Sequence, residues 1–175
     1  MERKNAWLSY TEADEKEMEA LAEAYMSFLD NGKTERECVD RTIEEARAKG
    51  YVSLEEKLAK GETVKAGDKV YTVDMNKIIA LFHIGEEDIT KGMNILGAHI
   101  DSPRIDIKQN PLYEDSDLAY LDTHYYGGIK KYQWVALPLA LHGVIAKKDG
   151  SVVNVNIGEE EGDPIVYITD LLVHL

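Results

Sequence analysis

The spacing of apolar residues changes near Lys69 from helical to extended, and that change confines the chain to a mixed α/β fold. Before it, Met18, Leu21, Ala22, Tyr25, Phe28 and Leu29 recur at helical spacing, with acids on the other face. Thr11 is the expected N-cap of this helix, which runs through about Phe28, and Asn31-Gly32 ends it. Thr34 with Glu37 forms a capping-box pattern and opens a second helix. That helix carries Val39 and Ile43 and stops at Lys49-Gly50. Beyond Lys69, KVYTV and KIIALFHIG read as two strands joined through Asp74-Met75-Asn76. GMNILGAHI follows as a third, mostly apolar strand, expected in the middle of a sheet and buried on both faces.

After about Asp106 the texture changes again, which predicts a boundary near Asp106–Pro111 and two regions, 1–106 and 107–175. Residues Ile107–Leu118 are polar, with Asn110-Pro111 marking a turn. Short β-like runs follow at Ala119–Tyr126, Tyr132–Leu137, Leu141–Ala146, Val152–Ile157 and Ile165–Ile168, with Lys148-Asp149-Gly150 as a turn between two of them. They predict a small, mostly β module. The closing TDLLVHL reads as the first turns of a helix capped by Thr169. An apolar helical run is an odd place for a natural carboxyl terminus, so a truncated chain is expected.

With 44% apolar residues in 175, the chain has the material for a globular core. Its net charge of -13 repels phosphate backbones and anionic lipid, which argues against nucleic-acid and peripheral membrane roles. A single cysteine, Cys38, cannot form an intrachain disulfide and favours a reducing compartment. No histidine lies near it in sequence to activate a thiolate, so it reads as a small buried side chain. The amino terminus has no apolar core of a signal peptide, and no segment is apolar over a span of about 20 residues. A soluble, cytoplasmic protein is expected.

The stretch richest in chemistry is GAHIDSPR, Gly97–Arg104. His99 and Asp101 are two apart, so on an extended backbone they point to the same side, at the end of the expected buried strand. Open α/β sheets bind ligands at the carboxyl ends of their strands. A neutral imidazole suits zinc or cobalt, and a nearby carboxylate can bind metal or hold the ring in one tautomer. The plainer alternative is a surface His and Asp that happen to be neighbours.

GAHIDSPR resembles the first metal motif of the aspartyl aminopeptidase (aminopeptidase I) family of dinuclear zinc peptidases. The opening helices, LYEDSDLAYLDTHYYGGIKKY, the Leu141–Ile145 strand and DPIVYITDLLVHL are similar to consecutive segments of that family's amino-terminal part. The likeness covers nearly all of the chain and well under half of a full-length member; HYYGGIKKY is similar to a bacterial branch. The resemblance implies the amino-terminal part of a zinc-peptidase α/β domain, followed by the start of a mostly β inserted dimerisation domain. It implies a metallo-aminopeptidase acting on peptide substrates with two zinc ions, cobalt or manganese being possible replacements. His99 would bind one zinc, and Asp101 would support that ligand without itself binding metal. His174 would reach a neighbouring subunit of a homo-oligomer and bind the substrate carbonyl or its oxyanion.

The other histidines point to less. His83 reads as a core or edge residue of a strand, His142 as packing or surface, and His124 as part of a loop beside Tyr125, Tyr126 and two glycines. Tyr120, Tyr125, Tyr126 and Tyr132 read as core or subunit contact. A dinuclear hydrolase also needs a bridging carboxylate, further ligands and a general base. In the family those follow the inserted domain, so this chain alone is expected to be inactive. Two alternatives stay open: a non-catalytic assembly or capping protein derived from the family, and an unrelated metal-binding module built on His99 and Asp101.

Overall fold

A computed structural model describes residues 5–170, which fall into two compact units dividing after Ile100. In the first unit, helix α1 (Glu12–Asn31) and helix α2 (Glu35–Ala48) each start from a capping box. The Thr11 hydroxyl accepts from the Asp14 backbone N–H while the Thr11 N–H donates to the Asp14 carboxylate at 2.7 Å. Thr34 and Glu37 repeat the arrangement. Each box satisfies two of the backbone donors that a helix start leaves open.

Strand β1 (Val52–Ser53) leads into a short helix, α3 (Leu54–Ala59), capped by the Ser53 hydroxyl. Strand β2 (Lys69–Asp74) pairs parallel to β1 and antiparallel to β3 (Ile78–His83), in the order β1-β2-β3. The β2–β3 hairpin matches the sequence reading. Its turn places Met75 and Asn76 in the left-handed region, at φ 48° and 54°, which suits the twist of paired strands. Helix α2 grips that turn: Arg36 donates to the Met75 carbonyl at 3.0 Å, and Asn76 donates to Asp40.

Between α2 and the sheet lies a small core of Val39, Ala46, Val70 and Tyr71, with Val39 fully buried. Helix α1 contributes little to it. Met18 and Phe28 are half-buried, but Leu21, Tyr25 and Leu29 on the same stripe are exposed, because α2 is the element α1 meets.

The expected third strand is corrected by the structure. Among the described residues, 92–103 form no strand; Ile95 is 79% and Leu96 100% exposed. A strand buried on both faces needs neighbours at both edges and cover above and below. The described sheet ends at β3 and offers neither.

In the second unit, β4 (Arg104–Asp115) and β5 (Leu118–Tyr126) form a long antiparallel hairpin. The turn expected at Asn110-Pro111 is not there. Pro111 lies inside β4, where the register shifts between Ile107 and Leu112, a place that tolerates a residue without an N–H. The chain reverses at Ser116 and Asp117, both left-handed. Tyr113 and Tyr120 stack across this hairpin with ring centroids 5.3 Å apart. A second hairpin, β6 (Leu141–Ala146) with β7 (Val152–Ile157), turns through Lys148-Asp149-Gly150 as expected. The Tyr132–Leu137 and Ile165–Ile168 runs are not strands: the first holds a 3-10 turn, and both contribute to isolated bridges, Val135 with Ile168 and Leu139 with Val166. The helix expected from Thr169, and His174 on it, fall at or beyond the edge of the described residues.

Candidate functional site

Residues 97–103 run in irregular backbone up to the start of β4, so His99 and Asp101 do not sit at the end of a buried strand. His99 is exposed and Asp101 is half-buried. The extended geometry that put both side chains on one side in the sequence reading therefore does not apply.

Asp101 is held from β5. The Tyr126 hydroxyl donates to Asp101 Oδ2 at 2.9 Å. Tyr126 is the antiparallel partner of Arg104, the first residue of β4, so strand pairing places its ring beside the backbone that carries Asp101. The Arg104 guanidinium lies over the Tyr126 ring, 4.2 Å from its centroid. Arg104 Nε also donates to Asp106 Oδ1 at 2.7 Å. A planar cation suits this position because it can stack and hydrogen-bond at once.

Gly127 follows Tyr126 with φ 72°, and a methyl group there would lie 3.5 Å from Pro103 Cα. That spacing is ordinary contact, so it is the left-handed backbone after β5 that calls for glycine here. A few residues onward, Lys131 Nζ lies 4.9 Å from the centroid of Tyr125. The sequence reading groups Tyr126 with tyrosines of the core or a subunit contact; its hydrogen bond to Asp101 depends on the β4–β5 register, which no local pattern contains.

The other candidates keep structural roles. His83 ends β3, exposed and paired in register with Lys69. His142 is nearly buried on β6, its Nε2 3.2 Å from Glu159 Oε1 but off the hydrogen-bond line. The Cys38 thiol donates to the Gly32 carbonyl at 3.3 Å. Burial first, then Glu37 and Glu35, push its pKa up, the opposite of what a nucleophile needs.

An imidazole and a carboxylate are donor types that zinc accepts. Yet among the described residues no three His, Cys, Asp or Glu side chains gather into a group able to hold a metal. A structural or catalytic zinc takes about four ligands. The described residues therefore fit part of a zinc site and do not complete one. No described helix is long and apolar enough to cross a membrane.

The family described as "Aminopeptidase I zinc metalloprotease (M18)" matches residues 28–175. A "Probable M18 family aminopeptidase 1" of Clostridium acetobutylicum is 59% identical over 174 residues, covering 99% of this chain and 37% of that protein. The crystal structure of aminopeptidase I from the same organism superposes with TM-score 0.81 at 58% identity, over 100% of this chain and 38% of that one. Aminopeptidase I from Borrelia burgdorferi B31 superposes with TM-score 0.87 at 38% identity, over 97% of this chain and 41% of that one. The chain spans little more than a third of the length of curated relatives such as the Clostridium acetobutylicum protein, 37%.

Proposed function

The chain belongs to the aminopeptidase I (M18) zinc metalloprotease family, and from that premise we propose that it forms part of a zinc-dependent aminopeptidase removing amino-terminal residues from peptides. The reading is carried by GAHIDSPR, which supplies an imidazole and a carboxylate of the right types in a chain of this family. His99 is assigned as a ligand to one of two zinc ions, with cobalt or manganese as possible substitutes. Asp101 holds that ligand in place. When bound, zinc supplies Lewis acidity toward the peptide carbonyl.

Because the chain spans 37% of such relatives, activity is proposed for the whole protein and not for these 175 residues alone. The remaining ligands and the general base are assigned outside the described residues. The region 107–175 is read as the start of an inserted dimerisation domain, after a peptidase region of 1–106. His174, outside the described residues, is assigned to a neighbouring subunit's active site, where it would donate to the substrate carbonyl oxygen. The His174 assignment calls for a homo-oligomer, and the single Cys38 suits a reducing compartment such as the cytoplasm.

The test is hydrolysis of aminoacyl-p-nitroanilides by the complete protein, with added zinc or cobalt and with chelator. Chelator-sensitive turnover that falls about 100-fold or more in His99→Ala is expected. The isolated 175-residue chain should be inactive. Turnover that survives both chelation and His99→Ala would sink the reading.

A further inference from the structure

The described residues offer several features that the proposed reaction leaves unused: the exposed apolar run around Leu96, the His142–Glu159 pair, and the Arg104–Tyr126 pair that meets Asp101. The last of these has a chemical purpose in reach. We propose that Tyr126 is a positioning residue for the metal site, fixing the Asp101 carboxylate through its hydroxyl while Arg104 clamps its ring. The inference rests on the reading of His99 as a zinc ligand supported by Asp101.

Asp101 lies in irregular backbone ahead of β4. Tyr126 is fixed several times over. It pairs in register with Arg104, its ring is covered by the guanidinium at 4.2 Å, and that guanidinium is tied to Asp106 at 2.7 Å. Just after it, the left-handed Gly127 turns the chain out of β5. The hydroxyl is thus the end of a rigid post, and its 2.9 Å bond to Asp101 Oδ2 extends that rigidity to a segment without regular structure.

A carboxylate that orients an imidazole works only if it is itself oriented, because a ligand's outer partners set ring direction and tautomer. Sites hold their geometry when supported from regular elements and not from loops alone. The pattern Asp-x-x-Arg before β4 and Tyr-Gly at the end of β5 meets both needs with three side chains. Their contributions differ: Asp101 accepts, Tyr126 donates, and Arg104 holds the donor's ring.

The experiment is a set of zinc affinities for the complete protein, measured by competition with a chromophoric chelator, alongside thermal midpoints of the metal-free form. Tyr126→Phe keeps the ring under Arg104 and removes only the hydroxyl. It should weaken zinc about 10-fold, the lower end of the range for outer partners of a ligand, with the metal-free midpoint unchanged. In an Asp101→Ala background, which has no oxygen to accept from the Tyr126 hydroxyl, Tyr126→Phe should weaken zinc no further. Arg104→Lys keeps the charge but loses the planar stack; it should weaken zinc beside Asp101 and not beside alanine.

Wild-type zinc affinity in Tyr126→Phe would overturn the inference. So would losses that multiply when either variant is combined with Asp101→Ala, since Tyr126 would then act independently of Asp101. If Asp101→Ala alone leaves zinc affinity unchanged, the underlying assignment of Asp101 fails, and the inference with it. If zinc affinity falls in Asp101→Ala but not in Tyr126→Phe, only the inference fails.

Discussion

Arg47 Nε donates a 2.9 Å hydrogen bond to the hydroxyl of Tyr71, and this pair ties α2 to the middle strand of the first sheet. Tyr71 is 4% exposed, so its ring belongs to the core while its hydroxyl reaches the polar edge. Tyr71→Ala should cost roughly 3 kcal/mol, mostly from lost burial and the cavity left behind. Tyr71→Phe should cost about 1 kcal/mol, since only the hydrogen bond is lost. Denaturant midpoints of the two variants check the difference; equal losses would mean the ring contributes nothing beyond its hydroxyl.

The capping box at Thr34 makes a separate prediction. Its hydroxyl and Glu37 satisfy two open donors at the start of α2, the helix that supplies Val39 and Ala46 to the core. Thr34→Ala should destabilise the protein by about 1 kcal/mol, and Thr34→Ser by much less. Equal stabilities for the two variants, read by chemical denaturation, would show that the cap has no energetic role.

Acid should weaken the first unit through Asp68. Its carboxyl pKa is lowered, first by the Lys65 backbone N–H and then by Lys57, against a smaller raising effect of burial between them. A folded pKa below the unfolded one means that the contribution is present above the ordinary Asp value, about 3.9. It is lost as pH falls from there through the lower folded value. The stability gap between wild type and Asp68→Asn should therefore be constant near neutrality and shrink below about pH 3.9. Unfolding curves across that range test the sign; a gap that widens with acid would reverse it.

Gly127 should resist replacement. With φ 72° it occupies a region where side chains are strained. Gly127→Ala should destabilise by on the order of 1 kcal/mol. Gly128 has no positive φ, and a methyl group there would meet nothing within 4 Å. Gly128→Ala should cost distinctly less in the same thermal unfolding measurement, and parity between the two would refute the distinction.

What is legible in the sequence is local. The caps at Thr11 and Thr34 and the β2–β3 and β6–β7 hairpins are encoded within a few residues, and the structure has them. The Gly92–Ile100 run misleads because apolar composition reports a demand for burial, while burial itself depends on partners elsewhere. Asn110-Pro111 misleads for a related reason: a turn signal is absorbed by a register shift in β4, and Ser116-Asp117 makes the turn. At the candidate site, His99 and Asp101 are recognisable from their motif. Tyr126 is not, because its significance comes from standing opposite Arg104 across two strands.

The strand pairings also set the order in which this chain can assemble. Apart from the short β1–β2 contact, each pairing joins strands that follow one another directly along the chain. Such hairpins close small loops and zip in about 1–10 μs, fast relative to folds that wait for distant segments to meet. The β4–β5 hairpin therefore draws its own pairing from residues no later than Tyr126, and once both strands are free in solution their closure is fast beside synthesis at about 5–20 residues per second. Arg104, Tyr126 and Asp101 are in that sense a prefabricated part, ready when the rest of the polypeptide arrives.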